Sequence, residues 1–395
     1  MLLHIDKIIN RSFLFCLMGI IVFSPFSSDL ALDYLHLPMS APELFALPFC
    51  FFLKRDIKKV RINKQLFLRL LGLMFILIIF ALLVGEYSFF SILGSARAYF
   101  WIFFFYCVFK SSQNPFCLDD LMYISLGCLI GWLLSSLIGI RNILLTLLDE
   151  GVTYGALLAV PLLLSISYYK KKYLLFSFGL VVIVLICVTS GIRRLIFISL
   201  ISLALVALLS VINRPKYIFR ITIGLCLFGV LLIATLPLIK DYMKETSHSL
   251  YHRVFERSET YLEGDVDDSD SERLYDITVL LEDSWKYIIP PRGFVSRQTA
   301  TDTGAGDFND LPLKELFWTF SLPGALLILF HYMRKTMYYY SHYRKKEDEM
   351  SYVIICYMTI MFCLLFLEGT FLAFPYATPI TGACLGLVDK KNHKR

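Results

Sequence analysis

Residues 173–212 read YLLFSFGLVVIVLICVTSGIRRLIFISLISLALVALLSVI. Two runs of eighteen residues, 173–190 and 195–212, carry no charge, and only GIRR separates them. A helix rises 1.5 Å per residue, so the hydrocarbon core of a bilayer is crossed by about 20 apolar residues, with 18 near the lower limit. Two such runs in succession read as a helical hairpin in a membrane, with Arg193 and Arg194 at its turn. This hairpin decides the fold class: an all-α polytopic membrane protein.

The rest of the chain agrees. Of 395 residues, 57% are hydrophobic and 18% charged, below the roughly 25% charged of soluble domains. The mean hydropathy is +0.66. The net charge of +6 comes from Lys/Arg clusters between apolar runs, which is how orientation in a bilayer is encoded. No nucleic-acid partner is read from it. Ten cysteines are present, nearly all inside apolar runs and with no CxxC, so the pattern gives neither a disulfide framework nor a zinc site. The first apolar run has no small-residue cleavage site after it, so it is read as a span rather than a signal peptide.

Hydropathy predicts about twelve spans: 12–28, 41–53, 66–85, 92–109, 121–140, 151–168, 173–190, 195–212, 218–238, 317–333, 352–371 and 375–388. Basic clusters fall on alternate connections, at 54–64, 170–172, 214–220, 334–346 and 390–395. Placing them in the cytoplasm satisfies the positive-inside rule with both termini inside. The chain then divides into spans 1–9 over 1–239, a long outer loop over 240–316, and spans 10–12 with a cytoplasmic tail over 317–395.

The outer loop holds seventeen acids and nine bases, and its length marks it as functional or disordered. Within it, 273–289 (RLYDITVLLEDSWKYII) repeats Leu274, Ile277, Leu281, Trp285 and Ile288 at three- and four-residue steps. That is an amphipathic helix, stopped by Pro290 and Pro291. The tract GDVDDSD (264–270) invites a calcium-loop reading. However, Asp270 stands where the turn glycine belongs, and Asp276 where the last ligand should be Glu. A solvated acidic tract is the simpler reading, and no metal or other cofactor is expected. No HExxH, Walker loop or GxSxG occurs.

Some arginines are not needed for topology: Arg193 and Arg194 at the hairpin turn, Arg141 at a short outer loop, and Arg97 near or inside the fourth span. An intramembrane arginine costs about 2.5–3.5 kcal/mol on insertion scales and tends to mark function. Its planar fork holds phosphate by two parallel hydrogen bonds and stays charged. Outer arginines beside a bilayer therefore suggest a phosphate at headgroup depth. Snorkelling to lipid headgroups is the plain alternative for each.

Five local features resemble the O-antigen polymerase and O-antigen ligase superfamily of bacterial envelope proteins. They are GVTYGALLAVPLLL (151–164), SGIRRLIFISLISLAL (190–205), the long loop between late spans, SERLYDITVLLEDSWKYIIPPRGF (271–294) within it, and NDLPLKELFWTFSLPGALLIL (309–329) returning to the membrane. Arg253 and Gly264 add a ten-residue spacing similar to that of many polymerases. The family's ligases carry a histidine near the end of the loop. Here Asp307, Asn309 and Asp310 stand there instead, which points to a polymerase. The family's glycine pair after the helix is reduced to Gly293.

The resemblance implies a glycosyltransferase of the bacterial inner membrane. It would join undecaprenyl-pyrophosphate-linked repeat units at the periplasmic face, without a metal and possessing no nucleic-acid partner. Membrane lipids and a chain-length regulator are the implied partners. Arg193 and Arg273, then Arg194, Arg97, Arg141 and Arg253, would bind the pyrophosphate, and preorganised cations would stabilise charge on the leaving group. Asp310 would accept the proton of the acceptor hydroxyl, with His252 as runner-up. A ligase moving polymer to lipid A–core, or a lipid or polysaccharide exporter, remains open as an alternative.

Overall fold

The computed structural model describes residues 2–24, 26, 63–84, 89–111, 117–137, 154–190, 193–213, 234, 237, 240, 241, 244, 291–294, 312–367 and 378–390, with side chains for most of these. Among the described residues the fold is all-helical. The helices are α1 (Leu2–Val22), α2 (Lys64–Val84), α3 (Phe89–Lys110), α4 (Leu118–Leu137), α5 (Tyr154–Tyr169), α6 (Tyr173–Ser190), α7 (Arg193–Asn213), α8 (Pro312–Lys345), α9 (Glu349–Leu367) and α10 (Thr378–Val388). Four segments, Lys64–Leu83, Ile92–Lys110, Leu118–Ser135 and Glu315–Lys345, are long and apolar enough to cross a membrane, and six shorter apolar helices accompany them. The chain is a multi-pass membrane protein. Ten of the expected spans coincide with these helices. The span expected at 41–53 lies outside the described residues, as do nearly all of 218–238 and the amphipathic helix at 273–289.

Large apolar side chains face outward: Phe75 and Leu83 on α2, Leu174 and Phe178 on α6, Leu327 and Phe330 on α8 are all exposed. A belt of this kind belongs in lipid rather than water. Inside, Trp132, Phe105, Tyr352 and Tyr357 are fully buried. Lipid supplies no hydrophobic drive between helices, so close packing does the work, and small residues permit it. GCLIG on α4 lays Gly127 and Gly131 against α1. A methyl at Gly127 would come within 2.8 Å of the Cys16 carbonyl carbon, and one at Gly131 within 2.8 Å of Ser24 Cβ. GACLG on α10 does the same against α3, where a methyl at Gly386 would lie 2.6 Å from the Tyr106 carbonyl oxygen. Polar side chains within helices satisfy themselves locally: Ser199 and Ser202 each donate to the carbonyl four residues back.

Most of the charged side chains among the described residues collect at one end. At that end α3, α5, α8 and α10 finish while α4 and α9 begin. Arg11 forks onto Asp120 (Nε–Oδ1 2.9 Å, Nη2–Oδ2 2.6 Å). Lys170 and Lys172 both reach Asp119 at 2.8 Å, and Lys170 reaches Glu349 at 3.1 Å. Burial alone pulls the Lys170 ammonium down, yet its bonds to Asp119 and Glu349 hold it above the usual lysine value. Lys171, with φ 56, makes the tight turn between α5 and α6. Asp389, just past α10, gathers Tyr106, Lys110, His331 and Lys335. This is the end that carries the lysine clusters at 170–172 and 334–346.

Candidate functional site

The opposite half of the bundle carries a polar group built on α3 and α8. Pro312 occupies the first position of α8, where its missing N–H costs nothing. This places Glu315 in the first turn. Tyr99, in the middle of α3, donates its hydroxyl to Glu315 Oε1 at 2.9 Å. The phenol is almost fully buried, and its ring packs against Phe294 and Phe320 with centroids 5.1 and 5.7 Å away.

Helix α8 is broken. Ser321 adopts φ 64, ψ 163, and Pro323 follows. Proline has no N–H, so the carbonyl four residues back loses its helical donor. Irregular backbone at membrane depth is tolerated where protein buries it, and Ser321 is buried. One turn above the break, the Trp318 carbonyl accepts the Arg292 amide at 3.0 Å. The Arg292 guanidinium lies over the Trp318 ring, 4.6 Å from its centroid, a cation–π contact.

Residues 291–294 thus enter the bundle as an inserted segment. Gly293 has φ 81 and sits directly on α2, where a methyl would meet the Leu77 carbonyl oxygen and approach Ala81 Cβ to 2.9 Å. Only glycine fits both the dihedral and the space. Leu77 lies seven residues before the outer end of α2, so the segment reaches about 10 Å into the bundle. It brings the Arg292 cation to α8, where Glu315 and Trp318, three residues apart, share a face.

Below Tyr99 lies a cavity of about 300 Å³ with an almost wholly apolar lining. It runs between α2 and α8, over α3, α9 and α10, down to Tyr106 and Tyr332.

Of the residues singled out in the sequence, Arg97 lies within α3, eight residues from its outer end. It is half-buried, and its Nε is shielded from solvent. Arg193 and Arg194 open α7, but their side chains lie outside the described residues. So do Arg141, His252, Arg253, Gly264, Arg273, Trp285 and Asp310. Among the described residues, no three His, Cys, Asp or Glu side chains converge as metal ligands do. The sequence reading had passed over Tyr99, Arg292 and Glu315, counting the last two only in the loop's charge. The signal for Glu315 was present: an acid three residues after a helix-opening proline.

No family model matches the chain, and no curated protein does either.

Proposed function

We propose that this chain is a polysaccharide polymerase of the O-antigen type, with twelve spans in a bacterial inner membrane, joining repeat units carried on undecaprenyl pyrophosphate. The observation that carries the reading is the insertion of residues 291–294. It puts a cation on Trp318 and a tyrosine-held carboxylate on the same face of α8, at the end opposite the lysine clusters. A cation and a carboxylate set about 10 Å inside the bundle, away from the lysine clusters, suit a reaction between two lipid-linked sugars.

In this reading the acceptor hydroxyl oxygen attacks the anomeric carbon of the growing chain. The bond from that carbon to the pyrophosphate oxygen breaks, and undecaprenyl pyrophosphate leaves with the electron pair. The hydroxyl proton goes to a carboxylate. Asp310 and Glu315, five residues apart on the returning segment, are the candidates. Arg292 joins Arg97, Arg193 and Arg273 as cations able to offset charge on the leaving group.

The test is reconstitution of the full chain with undecaprenyl-pyrophosphate-linked repeat units. Polymer should form in the presence of EDTA. If Glu315 takes the proton, Glu315→Gln should slow polymer formation by about a hundredfold or more while leaving the protein in the membrane. Failure to form polymer would refute the reading. Transfer of finished polymer to lipid A–core would make the chain a ligase, and movement of the carrier without a new glycosidic bond would make it an exporter.

A further inference from the structure

The apolar cavity extends from Tyr99 toward the end that carries the lysine clusters, as far as Tyr106 and Tyr332. At its upper end Tyr99 packs on Phe294 of the inserted segment, which also meets Leu77 and Ala81 of α2 and Trp318 of α8. Among the described residues, α2 packs along α3 and α8 along α9, while α2 and α8 share few contacts. The cavity wall on α2 is Leu66, Leu70 and Leu73, all in its cytoplasmic half, and Leu73 is 37% exposed. The mouth between α2 and α8 therefore faces the leaflet beside the lysine clusters.

The floor is polar and carries excess positive charge. Tyr106 and Tyr332 line it. The Tyr106 hydroxyl donates to Asp389 at 2.8 Å and accepts from Lys110 Nζ at 2.6 Å. Lys335 stands 3.5 Å and His331 3.0 Å from the same carboxylate. Among the described residues these two lysines share one acid. Their side chains are 33% and 31% exposed, and an ammonium has three donors. Arg69 is exposed on α2. Spaced three residues from Leu66 and four from Leu73, it falls on the helical stripe that lines the cavity. A cation there reaches along its stem toward headgroups.

We propose that this cavity is a binding site for an anionic phospholipid of the cytoplasmic leaflet: one acyl chain fills the apolar space, and Lys110 and Lys335 hold the phosphate with Arg69 at the mouth. Apolar walls, a mouth on one leaflet and unbalanced cations at its rim match such a lipid in shape and charge. Tyr99 closes the top of the cavity and also holds Glu315, so the lipid would lie directly beneath the outer polar group.

The test uses the full chain, delipidated in mild detergent and titrated with dioleoyl phosphatidylglycerol, dioleoyl phosphatidylethanolamine or inorganic phosphate. Bound molecules are counted by native mass spectrometry. One phosphatidylglycerol should persist and bind more tightly than phosphatidylethanolamine. Each of Lys335→Gln and Arg69→Gln should weaken it about fivefold, the contribution of one cation near a charged headgroup. Leu70→Trp should exclude both lipids by filling the cavity, in a protein that unfolds no earlier than the parent. Equal binding of the two lipids, or phosphatidylglycerol binding unchanged by both charge variants, would overturn the proposal. Displacement by millimolar phosphate would reduce the site to a plain anion site. Displacement by farnesyl pyrophosphate would give the cavity to an isoprenoid instead.

Discussion

Replacing Arg11 with Met tests how the first helix is held. The Arg11 fork makes two hydrogen bonds to Asp120, whose side chain is only 4% exposed. Without it, the carboxylate keeps one strong donor, the Cys117 amide at 2.9 Å, and a weaker one, the Cys117 thiol at 3.3 Å. Removing one member of a buried pair costs about 3–5 kcal/mol, because the remaining charge is stranded. Arg11 itself is 36% exposed, so water can enter when it is cut back. The cost therefore falls at the lower end, about 3 kcal/mol or two decades in the folding equilibrium. Arg11→Met combined with Asp120→Leu removes the stranded charge and should return to within about 1 kcal/mol of the parent. Unfolding by SDS in mixed micelles, followed by tryptophan fluorescence, measures both. Trp132, fully buried on α4, lies on one of the helices concerned. A single variant costing under about 1 kcal/mol, or a double variant as unstable as the single, would refute a stranded-charge account.

Three further outcomes are expected. Gly127→Ala should destabilise by about 1–3 kcal/mol through overlap with α1, whereas Gly72→Ala, with nothing within 4 Å, should be neutral or stabilising by up to about 1 kcal/mol; the same SDS titration compares them. Gly293→Ala should loosen the inserted segment, raising hydrogen exchange at the Arg292 amide about tenfold or more, as a left-handed dihedral costs a side chain about 1–2 kcal/mol. Burial alone would raise the Asp389 carboxyl, but hydrogen bonds from Tyr106 and His331 and the charges of His331 and Lys110 hold it below the usual range. A depressed carboxyl contributes stability above its unfolded value, near 3.9, and loses it as pH falls through the lower folded value. The stability gap between the parent and Asp389→Asn, followed by the same SDS titration, should thus narrow as pH falls below about 4 and close as it passes the lower folded value.

Hydropathy made the helices legible because a segment in lipid must satisfy its backbone internally, which leaves helices as the available answer for runs of this length. Ten of the twelve expected spans coincide with a helix on that ground alone. Which helix meets which was not legible. GCLIG and GACLG are visible as spellings, but nothing in them says that the first faces α1 and the second α3. The lysine clusters read as orientation signals. Their partners Asp119, Glu349 and Asp389 come from distant parts of the chain and meet them only after folding. Arg97 was placed near or inside a span, and it lies well within α3. The polar group around Tyr99 escaped because a tyrosine in an aromatic-rich helix looks like packing, and Glu315 was one acid among seventeen in the expected loop. What distinguishes both is the inserted segment at 291–294, a three-dimensional event whose only trace in the sequence is a glycine after two prolines.

The Arg11–Asp120 contact spans 109 positions of sequence. During synthesis at about 5–20 residues per second, Arg11 emerges roughly 5–20 s before its carboxylate exists. Throughout that interval Arg11, at the head of the apolar stretch of α1, lacks the carboxylate it later meets and can hold that point among anionic headgroups. When α4 arrives, the same guanidinium exchanges lipid phosphate for Asp120, and the glycine seam closes beside it. One residue thus serves in turn as a topology signal for the ribosome-bound chain and as a clasp for the finished bundle. Its loss would be felt first in how the nascent protein enters the membrane.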